Sequence, residues 1–166
     1  MKSIVLMLVA FILGGCVNLT KYERASVLGP KARVRVVTGM TSTRVYNVQN
    51  NDCRQLIGYG LLKKGYSDGS LPENSLGMPW IRERKGEVDN YQYMEVYMST
   101  EKPQDIYVAA KNNFGKATYN FRVTFEEGKD YEIHFVFPYV SVYEISAGGS
   151  DFWKIDVEKT ETSCIY

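Results

Sequence analysis

The chain has one histidine and three cysteines in 166 residues, and this scarcity removes several kinds of chemistry at once. Two cysteines and one histidine beyond the leader lie scattered, with no paired spacing of the sort zinc sites use. Nothing in the residues implies a metal or any other cofactor. Gly-x-Ser-x-Gly, the turn that presents a nucleophilic serine, does not occur, nor does a glycine-rich loop able to cradle phosphate. Charge of one sign is also missing. Lys+Arg number 20 and Asp+Glu 19, a net charge of +1, so the strong basic field that nucleic-acid binding exploits is absent and nucleic acid is not an expected partner.

A long apolar run is lacking too. After Met1-Lys2-Ser3 no charge occurs in residues 4–17, but the continuous apolar run ends at Leu13, well short of the roughly 20 residues a spanning helix needs. A short basic start followed by such a segment has the form of an export signal. Its end, Leu13-Gly14-Gly15-Cys16, resembles the lipobox of bacterial lipoproteins. That resemblance implies cleavage before Cys16, a lipid on its thiol and anchoring in a cell-envelope membrane. Val17 stands where inner-membrane lipoproteins of proteobacteria tend to carry Asp, so the resemblance further implies the outer membrane, with the domain facing the periplasm. The other readings of these residues are a plain secretory peptide with a chance cysteine, or a buried helix.

Residues 1–15 are therefore expected to be the signal peptide and 16–30 a lipidated tether ending at Gly29-Pro30. Residues 31–166 are expected to form one domain, long enough for one core and too short for two. In an exported chain Cys53 and Cys164 are expected to pair, with free buried thiols as the alternative.

Aromatic residues are abundant: Tyr 13, Phe 7. Such side chains fit pleated sheets. Period-two alternation marks "ARVRVV", with Val34 and Val36 on one face and Arg33, Arg35 and Val37 on the other, as a half-buried strand. "TRVYNV" follows. The segment after Cys53 is open between strand and short helix. Residues 63–90 are rich in glycine, proline and charge and predict one long irregular loop, either a binding surface or a solvated insertion. "YQYMEVYM" and "DIYVAA" flank a Glu101-Lys102-Pro103 turn. "KATYNFRVTF" places Tyr119, Phe121, Val123 and Phe125 together, and "YEIHFVF" aligns Tyr131, Ile133, Phe135 and Phe137, with residues 126–130 read as a hairpin between them. "YVSVYEI" and "FWKIDV" complete seven or eight strands. The predicted fold is all-β, a single antiparallel β-sandwich. "SLGMP" and "EEGKDYEIHF" running into "VSVYEI" are similar to segments of small proteobacterial lipoproteins, a resemblance implying an immunoglobulin-like or transthyretin-like sandwich and no particular active site.

Candidate functional residues are few. Tyr91, Tyr93 and Tyr97 share a strand face and could form a platform for a glycan or an envelope protein, or one wall of the core. Trp80 could be a loop contact or a staple. His134 would need a nucleophile or carboxylate within reach to act as a base, and otherwise is a strand histidine facing water or a second layer. Glu126-Glu127 read as turn solubilisers more readily than as an acid/base pair. The expectation is a lipid-anchored binding or scaffolding module acting without catalysis. The alternative is a hydrolase of an envelope polymer.

Overall fold

The computed structural model describes residues 27–39, 42–49, 52–57, 63–64, 76–81, 92–112, 115–136, 139–161 and 164. They form two stacked sheets and no helix. Cys16 and Tyr91 lie outside the described residues, as do the rest of residues 1–26, on which the expected signal peptide and most of the expected tether fall, and most of the 63–90 region.

The strands in chain order are β1 (Lys31–Thr38), β2 (Ser42–Gln49), β3 (Asp52–Ile57), β4 (Lys63–Lys64), β5 (Gln92–Ser99), β6 (Gln104–Asn112), β7 (Gly115–Val123), β8 (Asp130–Val136), β9 (Tyr139–Ile145), β10 (Phe152–Ile155) and β11 (Glu158–Lys159). Nine of these described strands have four residues or more, and β4 and β11 have two each. The six-stranded sheet, called A here, runs β10-β9-β8-β1-β5-β4, and the five-stranded sheet B runs β11-β7-β6-β2-β3. The segment after Cys53 is a strand, since Asp52–Ile57 pairs antiparallel with β2.

Alternation decides which side chains face inward. Val34 and Val36 of β1, Met94, Val96 and Met98 of β5, and Tyr131, Ile133 and Phe135 of β8 meet Ile106, Val108 and Ala110 of β6 and Phe121 and Val123 of β7 in one core. Each large apolar side chain taken out of water there contributes about 1.5–3 kcal/mol. Phe125 continues the β7 face beyond the strand's end and is buried with Tyr131, their rings 4.9 Å apart.

Two expectations about pairing are corrected. Residues 126–130 are not a hairpin: β7 lies in sheet B and β8 in sheet A, so this turn carries the chain from one layer to the other. Its backbone is held by β1, with Gly128 N donating to Lys31 O and Arg33 N to Lys129 O, each at 3.1 Å. Sheet A is also not wholly antiparallel. β8 lies parallel to β1, with Arg33 opposite Asp130 and Val37 opposite His134. Parallel neighbours need a long connection, and here the chain from β2 to β7, which visits both sheets, supplies it.

The half-buried reading of β1 is likewise corrected. Arg35 and Val37, on the outward face, are as buried as the core valines, both at 0% exposure. Something covers the outer face of sheet A, and that cover is built around the charged residues.

Candidate binding groove

Arg35 sits on the central strand of three. Its register partners are Glu95 on β5 and Glu132 on β8, so a carboxylate flanks the guanidinium on each side. Nε and Nη2 donate to Glu95 Oε1 at 3.0 and 2.7 Å, and Nη1 donates to Glu132 Oε2 at 3.4 Å. The remaining donors reach main-chain carbonyls of the irregular segment 76–81: Nη1 to Pro79 O at 3.1 Å and Nη2 to Met78 O at 2.8 Å. All five N–H groups of an arginine are thus used. Leu76 N donates to the other oxygen of Glu95. One turn of the alternation earlier, Arg33 grips Asp130 through two parallel bonds of 2.6 and 2.7 Å and donates to Leu76 O at 3.1 Å. The bonds to Asp130 raise the Arg33 pKa above its ordinary value, against the opposing effect of partial burial.

Two arginines two residues apart therefore hold the segment 76–81 flat against sheet A by its carbonyls. Met78 and Ile81 pack beneath it with Ile145. Gly149, in the turn between β9 and β10, closes the other side: a Cβ there would stand 2.3 Å from Trp80 O, and its φ of +67° suits glycine.

The residues singled out in the sequence fall into this layer in different ways. Tyr93 is buried, its ring edge-on to Trp80 at 4.7 Å. Trp80 stacks on Arg35, whose Cζ lies 3.7 Å from the ring centre, so Tyr93 and Trp80 take the packing and stapling alternatives. Tyr97 is half-buried with Lys31 Nζ 4.5 Å from its ring centre. His134 lies beside Val37 on the outer face of sheet A, away from the second sheet, and is 5% exposed. Glu126 pairs with Lys129 at 2.7 Å, and Lys129 also meets Glu144 at 2.9 Å. Those two carboxylates raise the Lys129 pKa. Glu127 is exposed in the turn. Among the described residues no group of three His, Cys, Asp or Glu could hold a metal ion, and no helix is long and apolar enough to cross a membrane. Solvent does not reach Arg35 or Glu95, so the ion cluster fixes a loop and presents no reactive group to the outside.

Cys53 and Cys164 form a disulfide with Cα atoms 5.8 Å apart. Since β3 and β11 are opposite edges of sheet B, this bond places Cys164 far across the sheet from Lys159. Cys164 packs there on Tyr46, Val48 and Tyr107.

An accessible site appears on the flank where the sheets end. β10 stops at Ile155, opposite Val142, and β11 starts at Glu158, opposite Arg122. Residues 156 and 157 bridge from one sheet to the other. Beyond that bridge, no described strand pairs with residues 115–119 of β7 or 139–141 of β9 on their flank side. A groove of about 530 Å³ opens between them, lined by Tyr119, Tyr139, Val140, Val157, Lys159 and Thr160. Tyr139 is 72% exposed. Tyr119 lies edge-on to Phe135, 5.2 Å between ring centres, and burial, then the neighbouring Tyr139, raises its pKa. Across the bridge a smaller groove of about 360 Å³ carries Glu126, Glu144, Asp156 and Glu158 around Tyr131.

Sequence reasoning missed this flank. Alternation groups Tyr119 with Phe121, Val123 and Phe125 on one face, but only the early end of β10 and the two-residue length of β11 leave it at an open margin. Comparison with known proteins finds no match: no family model, no curated protein and no solved structure is similar to the chain.

Proposed function

We propose that this protein is a lipid-anchored module of the cell envelope that binds or scaffolds a partner without catalysis. The observation that carries the reading is the open flank. Five apolar residues at the margin of the core, Ala117, Tyr119, Val140, Ile155 and Val157, are only partly covered, beside a tyrosine that projects into solvent. The outer face of sheet A, by contrast, is closed over its charges. A surface with exposed aromatic area and no enclosed reaction centre suits recognition. The Leu13-Gly14-Gly15-Cys16 motif supports the anchor, and a disulfide accords with an oxidising compartment such as the periplasm. An outer-membrane anchor with the domain facing the periplasm is part of this proposal.

The test is site-specific photo-crosslinking in the native host, with the reactive group placed at position 139 and, as a control, at exposed position 127 in the layer-crossing turn. Discrete adducts from 139 that are absent from 127 are expected; no adduct from 139 would sink the reading. Replacing Cys16 by Ser should release the protein from membranes, and retention would refute the anchor. Hydrolysis of peptidoglycan or ester substrates by the purified protein, lost in His134→Ala, would establish an enzyme in place of a binder.

A further inference from the structure

The flank is more than an apolar margin, because its backbone is directed. Thr160 N donates to Asn120 O at 3.1 Å on the β11 side of β7, so the carbonyl of Asn120 points to the flank. Strand alternation turns the N–H and C=O of Thr118 and Lys116 the same way. No described residue meets them. On the inward face the same stretch offers Ala117 and Tyr119, with Val140 and Val157 across the groove. On the outward face stand Lys116 and Thr118, while Lys159, opposite Phe121, stands on the inward side at the end of the groove; both lysines are exposed. We infer that the open edge of β7 accepts an extended polypeptide segment as an added strand, with apolar side chains on its inward positions and acidic ones on its outward positions.

Each part of that segment answers something on the flank. Main-chain bonds would satisfy the Lys116 and Thr118 groups, inward apolar side chains would cover the margin of the core, outward carboxylates would meet Lys116, and a carboxylate at the segment's end would meet Lys159 at the end of the groove. Pockets for alternate side chains beside an open edge are the usual means by which added strands gain specificity. Charge also separates a partner from a second copy of this chain. Two copies joined edge to edge would crowd these lysines together, as edge lysines do in sheets that resist self-pairing. The inference rests on the flank being the binding surface and goes further by naming what binds.

The probe is a fluorescent peptide of alternating valine and glutamate, about the length of the open edge, titrated by anisotropy onto the full chain in detergent. A valine–lysine peptide serves as the counter-probe. Saturable binding of the valine–glutamate peptide is expected, weakened by salt, with new hydrogen-exchange protection at the Lys116 and Thr118 amides. Thr118→Pro removes a donor that faces only the flank, a position where edge strands tolerate proline. It should weaken binding at least about tenfold, while Thr118→Val should not. Should Thr118→Pro fail to fold, the Lys116→Glu, Lys159→Glu double variant decides, since it should prefer the lysine peptide. Absence of peptide binding, equal binding by Thr118→Pro, or no change of preference on charge reversal would overturn strand addition. So would sedimentation of the wild-type chain as a dimer that Thr118→Pro dissolves. Crosslinks from position 139 without peptide binding would retire the added strand and leave the binding reading standing; peptide binding without such crosslinks would do the reverse.

Discussion

The outer faces of the two sheets are each covered in part, and by opposite means. Sheet A presents Arg33, Arg35, Glu95, Asp130 and Glu132, so its cover must supply hydrogen-bond acceptors, which the backbone of residues 76–80 does with the carbonyls of Leu76, Met78 and Pro79. Sheet B presents Tyr46, Val48 and Tyr107, the two rings edge-on with centres 6.0 Å apart. Its cover needs no acceptors, and the Cys53–Cys164 bond suffices to hold Cys164 in place. A charged face demands a roof matched to it atom by atom. An apolar face asks only that something lie upon it.

The largest effect should come from the covalent side of this comparison. The disulfide closes a loop over a sequence separation of 111, for which the chain-entropy model gives about 4–5 kcal/mol. Urea unfolding of the Cys53→Ser, Cys164→Ser double variant should show that loss, and thiol labelling of unreduced protein should find neither cysteine. On the ionic side, Arg35→Ala leaves Glu95 and Glu132 buried without their cation and should cost about 3–5 kcal/mol. Joint replacement by Arg35→Met, Glu95→Leu and Glu132→Leu should recover most of it in the same assay. If Arg35→Ala melts as the wild type does, the cluster does not hold the roof. Gly149→Ala, which strains a positive φ against Trp80, should cost about 1–2 kcal/mol and speed protease cleavage within residues 76–81.

The smallest effect concerns Tyr131, whose hydroxyl accepts from Glu126 N at 3.1 Å and donates to Glu144 at 3.4 Å. Tyr131→Phe should cost about 1 kcal/mol at neutral pH. Burial, the leading cause, raises the Tyr131 pKa above its ordinary value of 10.0. The folded state therefore holds that proton more tightly than the unfolded chain. Stability should be fully present below pH 10, the ordinary tyrosine value, and fall as pH climbs through the raised one. Thermal melts across the alkaline range should show a shallower fall in Tyr131→Phe.

Much of the sandwich was legible because inward alternation is a local property. Tyr119, Phe121 and Val123, or Tyr131, Ile133 and Phe135, announce one apolar face whatever their neighbours turn out to be. Neighbours are another matter. The residues "EEGKD" have the chemistry of a tight turn in either event, and nothing local distinguishes a return within one sheet from a step to the other. Arg33 and Arg35 read as the wet side of a half-buried strand, since charged side chains are normally solvated. Their enclosure depends on carbonyls more than forty residues away. The disulfide was accessible to reasoning from compartment, whereas the open flank depends on where two short strands stop.

The parallel contact between β1 and β8 also governs assembly in time. A strand at residues 31–38 finds its second neighbour only when residues 130–136 exist, so no fragment ending earlier can complete the middle of sheet A. Partnerships over such distances make folding slow. A growing chain would hold β1 with one side vacant until β8 emerges, so the centre of sheet A is set late in synthesis.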